Sequence, residues 1–248
     1  VTGVQTCALP ILIKVECQGS FIECIYRLAR NLLTVRRQLM LLICFTWATF
    51  SLGDESPQLM VLGVAQDAGY PQIDCFEARC IPLWESAPMQ SGASSLALVT
   101  EDSRVLLFDA APELPQQLYT LWQATGTRVA DISGIFLTHA HMGHYLGLAY
   151  LGKEAISADR VPVYVMPRFK QFLKTNGPWS QLVLEQNIVL ETLTNNRSVV
   201  VAGVQVKPLQ VPHRDEYSET VGFLIDAGQR ILYLPDIDKW RKWNVDLA

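Results

Sequence analysis

The chain has 248 residues, of which 50% are hydrophobic and 18% charged, and its net charge is −4. This composition is typical of a globular protein with a sizeable core, in one large domain or two small ones. The acidic balance disfavours nucleic acid as a partner, and the chain has neither a glycine-rich phosphate loop nor a G-x-S-x-G nucleophile motif.

An uncharged apolar run lies at residues 39–50, after Arg36-Arg37 and before the small residues Ser51 and Gly53. This order predicts a secretory signal peptide over residues 35–53. The run is shorter than the roughly 20 residues of a membrane-spanning helix; an uncleaved anchor and a buried core helix are the alternatives. We therefore expect an exported protein, periplasmic or secreted, with no stable membrane anchor after cleavage.

Residues 1–34 precede the predicted signal peptide, although such a peptide normally begins a protein. We hypothesise that Val35 is the native start and that residues 1–34 are a non-native upstream segment. The alternative is an amphipathic helix from Phe21 to Leu33. The remaining residues, 54–248, form the predicted domain.

Two of the six cysteines, Cys75 and Cys80, lie in the predicted domain. In an exported protein they could form a disulfide across a small loop or remain free thiols. They could also supply half of a structural metal site, but no further Cys or His lies nearby to complete it.

From Leu59 onward, predicted strands alternate with predicted helices. The predicted strands are 59–65, 95–100, 104–109, 131–137, 161–166, 188–193, 199–202, 204–211, 220–226 and 230–234. The predicted helices are 112–125, 167–175 and two that begin at 146 and 239. Hairpins join 95–100 to 104–109 and 220–226 to 230–234. The pattern indicates a layered α/β fold with sheets covered by helices.

Three of the four histidines, His139, His141 and His144, follow the apolar strand 131–137 within six residues. Neutral imidazole is the commonest metal ligand. Two histidines at i and i+2 in an extended turn can close on one ion, and the third can face a neighbouring site. The cluster predicts a metal centre; the alternative is a structural turn with surface imidazoles.

A strand, then His-x-His-x-x-His, then a helix resembles the metallo-β-lactamase superfamily, whose fold is a four-layer αβ/βα sandwich. Later positions fit the same pattern: His213 follows strand 204–211, Gly222-Phe223 lies in a strand, and Asp236 ends an apolar strand. The resemblance spans Leu59 to Asp236. The family's final histidine is not reached before Ala248, so we expect the domain to be incomplete at its C terminus.

The resemblance implies a first metal site made by His139, His141 and His213, and a second that uses His144 and Asp236. Gly143 stands where the family carries an aspartate that binds the second metal. The expected cofactor is zinc, as one or two ions, with iron as an alternative. Asp236 would bridge the metals or orient water; His144 would bind the second metal or shuttle a proton. The competing interpretations are that Asp236 only caps a helix and that His144 binds nothing.

Residues 61–72, followed by Cys75, resemble the first strand and loop of proteins related to pyrroloquinoline quinone biosynthesis protein B. The implied function is hydrolysis of an ester, lactam, lactone or phosphoester-type bond in a small molecule, by hydroxide that the metal makes available at neutral pH. The alternatives are an iron-dependent redox enzyme related to quinone cofactor biosynthesis and a degenerate member that binds metal or a small molecule without turnover. Asp67 and Asp109 are interpreted as turn- and loop-shaping residues.

Overall fold

The computed structural model describes residues 56–86 and 90–245. The predicted upstream segment and signal peptide lie outside these residues and stay predictions. The strands are β1 (Gln58–Gly63), β2 (Ser95–Val99), β3 (Val105–Phe108), β4 (Ile132–Phe136), β5 (Val161–Val165), β6 (Ile188–Thr192), β7 (Val199–Val201), β8 (Val204–Gln210), β9 (Val221–Asp226) and β10 (Arg230–Tyr233). The helices are α1 (Ile81–Trp84), α2 (Leu114–Thr125), α3 (Met142–Tyr145), α4 (Pro167–Thr175) and α5 (Trp179–Leu184), with 3-10 turns at Val129–Asp131, Leu146–Leu151 and Trp240–Lys242.

The strands form two sheets. The first has six strands in the order β1-β2-β3-β4-β5-β6; β1 to β3 pair antiparallel, and β3 to β6 pair parallel. Each parallel pair needs a crossover, and helical segments lie between the strands of all three parallel pairs. The second sheet is antiparallel in the order β10-β9-β8-β7.

The edge strand β1 is largely exposed, whereas β2 to β4 are fully buried, so the inner part of the six-stranded sheet is covered on both faces. On one face its side chains share a core with α2, α4 and α5, and on the other they pack against the four-stranded sheet. Phe108 of β3, Phe136 of β4 and Phe223 of β9 meet between the sheets, with Phe108 and Phe136 ring centroids 5.2 Å apart. One layer of helices and the two sheets make up three of the four layers of the expected sandwich. The α/β fold class is confirmed.

The structure shows every strand and both hairpins predicted from residue 59 onward, with ends that move by up to two residues. The helix expected from residue 146 begins four residues earlier, as the short α-helix α3, and residues Leu146–Leu151 themselves form a 3-10 turn. The expected helix at 239 is a 3-10 turn as well. Two short helices, α1 and α5, were not predicted, because four and six residues hold too little periodicity to detect. Cys75 and Cys80 form a disulfide. Among the described residues, no helix is both long enough and apolar enough to cross a membrane.

The histidine segment, residues 139–147, is held against the end of β3 by a close approach of the two backbones. Ala110 N–H donates to the carbonyl of His144 at 2.8 Å, and Gly147 N–H donates to the carbonyl of Ala110 at 2.9 Å. A Cβ added to Gly147 would lie 2.2 Å from the Ala111 carbonyl oxygen and 2.8 Å from the Leu114 Cβ. Glycine is therefore required at 147 for the segment to lie this close to the sheet.

The substitution Gly147→Ala should lower the free energy of unfolding by about 1–3 kcal/mol, because backbone atoms would have to move apart. Urea denaturation measures this. In the control Gly177→Ala the new Cβ meets no atom within 4 Å, so its effect should stay within about 0.5 kcal/mol. Equal stability of the two variants would contradict the close approach.

Candidate metal centre

Four of the predicted site residues, His139, His141, His213 and Asp236, converge on one point, with one donor atom from each lying within 4.8 Å of the others. His141 Nδ1 is 2.8 Å from His139 Nε2 and 3.3 Å from His213 Nε2. Asp236 Oδ2 is 3.3 Å from His139 Nε2. The loops after β4, β8 and β10, which are distant in sequence, thus meet at this point.

The outer nitrogens of two of these histidines face oxygen atoms that orient the rings. His141 Nε2–H donates to Glu216 Oε2 at 3.0 Å. His139 Nδ1 lies 3.0 Å from Thr138 Oγ1, whose hydroxyl donates to the Asp109 carboxylate, so the His139 ring donates to Thr138. Each neutral imidazole has one N–H and one lone pair. With the outer nitrogens protonated, the lone pairs of His139 and His141 both point inward, which is the orientation that a cation requires.

His213 completes this first group from the loop after β8. Its Nε2 faces the common point, while its Nδ1 lies 3.5 Å from Asp238 Oδ1, which is longer than a normal hydrogen bond. Nδ1 is buried and has no hydrogen-bond partner among the described residues. The Asp238 carboxylate is nevertheless close enough to attract a proton on Nδ1, which would leave the Nε2 lone pair facing the common point.

His144 belongs to a second group with Asp67 and Asp236. Its Nδ1 donates to Asp109 Oδ2 at 2.8 Å, so Nε2 bears the lone pair when the ring is neutral. That Nε2 lies 3.1 Å from Asp67 Oδ1 and 3.1 Å from Asp236 Oδ2. Asp236 Oδ2 therefore stands between the two groups, in the position of a bridging ligand.

Asp109 is fully buried and positions both groups. It accepts hydrogen bonds from Thr138 N–H at 2.8 Å, from the Thr138 hydroxyl, from His144 Nδ1 and from the Tyr233 hydroxyl at 3.0 Å. The interpretation of Asp109 as a loop-shaping residue was too narrow, because it orients His139 through Thr138 and His144 directly. The sequence contains a usable signal, since Asp109 directly follows β3, the strand that pairs with β4 in parallel.

Asp67 was interpreted as a turn residue, and it does lie in the turn after β1. Its carboxylate, however, points at His144. No sequence pattern connects Asp67 to the histidine segment, so its position became visible only in the fold.

The charges of the cluster favour the ligand protonation states of Asp236 and His139, whereas in the absence of a metal ion they favour the protonated form of His144. Contact with His139 and His144 holds the pKa of Asp236 well below its usual range. Burial lowers the pKa of His139. Burial also opposes the charged form of His144, but Asp109, Asp236 and Asp67 outweigh it and raise the pKa of His144 well above its usual value. Three carboxylates around one imidazole thus make this point attractive to positive charge.

Comparisons with known proteins agree with the geometry. The model of the β-lactamase superfamily domain matches residues 104–246, which is more than half of the chain. Coenzyme PQQ synthesis protein B from Xanthomonas oryzae pv. oryzae is 27% identical over 201 residues, covering 72% of this chain and 64% of that protein. The protein of the same name from Methylobacterium sp. is 26% identical, with the same coverage. The chain thus spans less than two thirds of the length of these relatives.

Two solved structures share the fold. Zn(2+)-bound PqqB from Methylobacterium extorquens matches with a TM-score of 0.60 and 25% identity, over 72% of this chain and 65% of that one. A diphosphatase from the PhnP family matches with a TM-score of 0.51 and 22% identity, over 68% and 61%. The second likeness concerns the fold alone.

The substitution Asp109→Asn should weaken metal binding by about 10- to 100-fold, since it replaces the acceptor that orients His144 and, through Thr138, His139. Competition with a chromophoric chelator measures the affinity. Asp159→Asn removes the same charge from an exposed position and should leave the affinity unchanged. Wild-type affinity in the Asp109 variant would show that the carboxylate does not position the ligands.

Proposed function

Because the chain belongs to the metallo-β-lactamase superfamily, with relatives among the PQQ synthesis B proteins, we propose that it is a metal-dependent hydrolase of small molecules. The observation that supports this most is the convergence of the inward nitrogens of His139, His141 and His213 beside Asp236. The outer nitrogens of His139 and His141 are engaged with Thr138 and Glu216. Inward lone pairs this close together repel one another unless a cation or a proton lies between them.

The donor set fits zinc. Three imidazole nitrogens are the protein ligands of one well-known class of catalytic zinc site, and carboxylate oxygen is a common further ligand. The similar PqqB structure from Methylobacterium extorquens contains zinc. A bound zinc ion polarises a carbonyl or phosphoryl oxygen and makes water acidic enough to ionise near neutral pH.

The chain's own residues supply the remaining requirements of hydrolysis. Asp236 is ionised and only partly buried, so its carboxylate can accept a hydrogen bond from an attacking water and orient it. His144, held by Asp109, is placed to bind a second ion or to carry a proton. Both roles agree with those that the family resemblance implies.

Arg214 indicates the kind of substrate. Its side chain is 64% exposed, yet its Nη2 lies 3.5 Å from His141 Nδ1. A guanidinium beside the centre can bind a carboxylate or phosphate through two parallel hydrogen bonds. We therefore favour small anionic substrates among the ester, lactam, lactone and phosphoester classes.

The second candidate is an iron-dependent redox function in quinone cofactor synthesis. The names of the relatives favour a role in the synthesis of coenzyme PQQ, without indicating the metal or the reaction. Imidazole and carboxylate ligands also suit iron. Elemental analysis of protein purified without added metal separates the two: zinc supports the hydrolase, and bound iron supports the redox enzyme.

We also propose that the domain functions outside the cytoplasm. The predicted signal peptide supports this, and so does the Cys75–Cys80 disulfide, because disulfides persist mainly in oxidising compartments.

The substitution His141→Ala should remove the first metal ion and lower kcat/KM by about 10³-fold, which corresponds to about 4 kcal/mol of lost transition-state stabilisation. The substrate for this measurement is found first, by testing the zinc-loaded wild type for hydrolysis of a panel of esters, lactones, lactams and phosphodiesters. Thermal unfolding of the variant and of chelated wild type should agree, which shows that the fold is intact. Full zinc occupancy in the variant, or full activity without metal, would contradict the proposal.

A further inference from the structure

We propose that Asp67 is a ligand of a second metal ion, and that it supplies, from the loop after β1, the carboxylate that the family carries at the position of Gly143. The ion would lie between Asp67 Oδ1, His144 Nε2 and Asp236 Oδ2. This inference rests on the metal binding in the proposed function, but it does not depend on the reaction that the protein catalyses.

The first support is the orientation of Asp67. Its Oδ1 is buried and lies 3.1 Å from His144 Nε2, and it has no other polar partner among the described residues. In the neutral ring, the Nε2 side of His144 is the lone-pair side, since its Nδ1–H donates to Asp109. A carboxylate oxygen and an imidazole nitrogen that face each other in this way need a metal ion or a proton between them.

The second support is steric. A Cβ built on Gly143 would lie 2.3 Å from Asp67 Oδ1 and 3.0 Å from the Asp67 Cα. A side chain at position 143 and the carboxylate of Asp67 therefore exclude each other. The space beside His144 that a residue at 143 would fill is taken by a carboxylate from another part of the chain.

The third support is that the loop of Asp67 is held in place. Ala65 N–H donates to the Gly92 carbonyl at 3.1 Å, and Gly69 N–H donates to the Gln66 carbonyl at 3.0 Å. The Gln72 side chain donates to the Asp67 carbonyl at 3.2 Å. These contacts fix the backbone on both sides of Asp67, so the position of its carboxylate is set by the fold.

The ligand chemistry defines the kind of ion. The donors are one imidazole nitrogen and two carboxylate oxygens, of which Asp236 Oδ2 is shared with the first group. This combination suits a divalent ion such as Zn²⁺, Mn²⁺ or Fe²⁺. It also supplies two negative charges close to the ion, which strengthens binding where the dielectric constant is low.

The test is metal stoichiometry rather than turnover. Wild-type protein, Asp67→Ala and Asp67→Asn are stripped with chelator and reloaded with Zn²⁺ or Mn²⁺, and bound metal is measured by elemental analysis and calorimetry. Wild type should bind two ions. Both variants should keep the first ion and bind the second at least about 100-fold more weakly. The control Asp74→Asn, in the same loop but exposed, should bind two.

Manganese resonance spectra provide a second measurement. If Asp236 is shared by two ions, wild type should give an exchange-coupled signal. Asp67→Asn, which keeps the shape of the side chain, should give the signal of an isolated ion. Two tightly bound ions in both Asp67 variants would overturn the inference. A wild type that binds one ion would also overturn it and leave the first site standing. A wild type that binds none would instead refute the proposed function.

Discussion

The carboxylate of Asp109 is the group on which the rest of the centre depends. A buried charge is costly unless hydrogen bonds satisfy it, and Asp109 accepts them from the backbone and hydroxyl of Thr138, from His144 and from Tyr233. These bonds tie the end of β3 to the loop after β4 and to the end of β10, and so join the two sheets at the edge where the histidines lie. The backbone at Asp109 is left-handed, with φ of 64°. This conformation is uncommon outside glycine, and aspartate is among the residues that tolerate it best.

The order of strands and helices along the chain could be predicted because each strand has a recognisable local pattern of apolar residues. The central strand β3 is a continuous apolar run, which is typical of a strand buried on both faces, and β4 carries apolar residues at Ile132, Ile135 and Phe136. The histidine cluster could also be recognised from the sequence, since three of the chain's four histidines lie within six residues. His213 and Asp236 could be placed only through the family pattern, because neither has a local signal that separates a ligand from an ordinary loop residue.

Asp67 could not be found from the sequence, and the reason is geometric. In the sequence, strands β2, β3 and β4 lie between Asp67 and His144. The two side chains come together only because β1 to β4 pair in that order in one sheet. The matching family model begins at residue 104, so Asp67 lies outside the part of the chain that the family describes. The glycine at 143 seemed to remove a carboxylate. In three dimensions it makes room for one.

The shared oxygen of Asp236 has a consequence for how the centre would fill. An oxygen that contacts both groups cannot respond to one ion without altering its basicity and position for the other. The two binding free energies are then linked, and the coupling must be the same in whichever order the ions arrive. Occupancy would consequently follow a single cooperative or anticooperative curve instead of two independent ones. The free metal-ion concentration would thus determine the populations of the zero-, one- and two-ion forms jointly, because binding of one ion changes the affinity for the other.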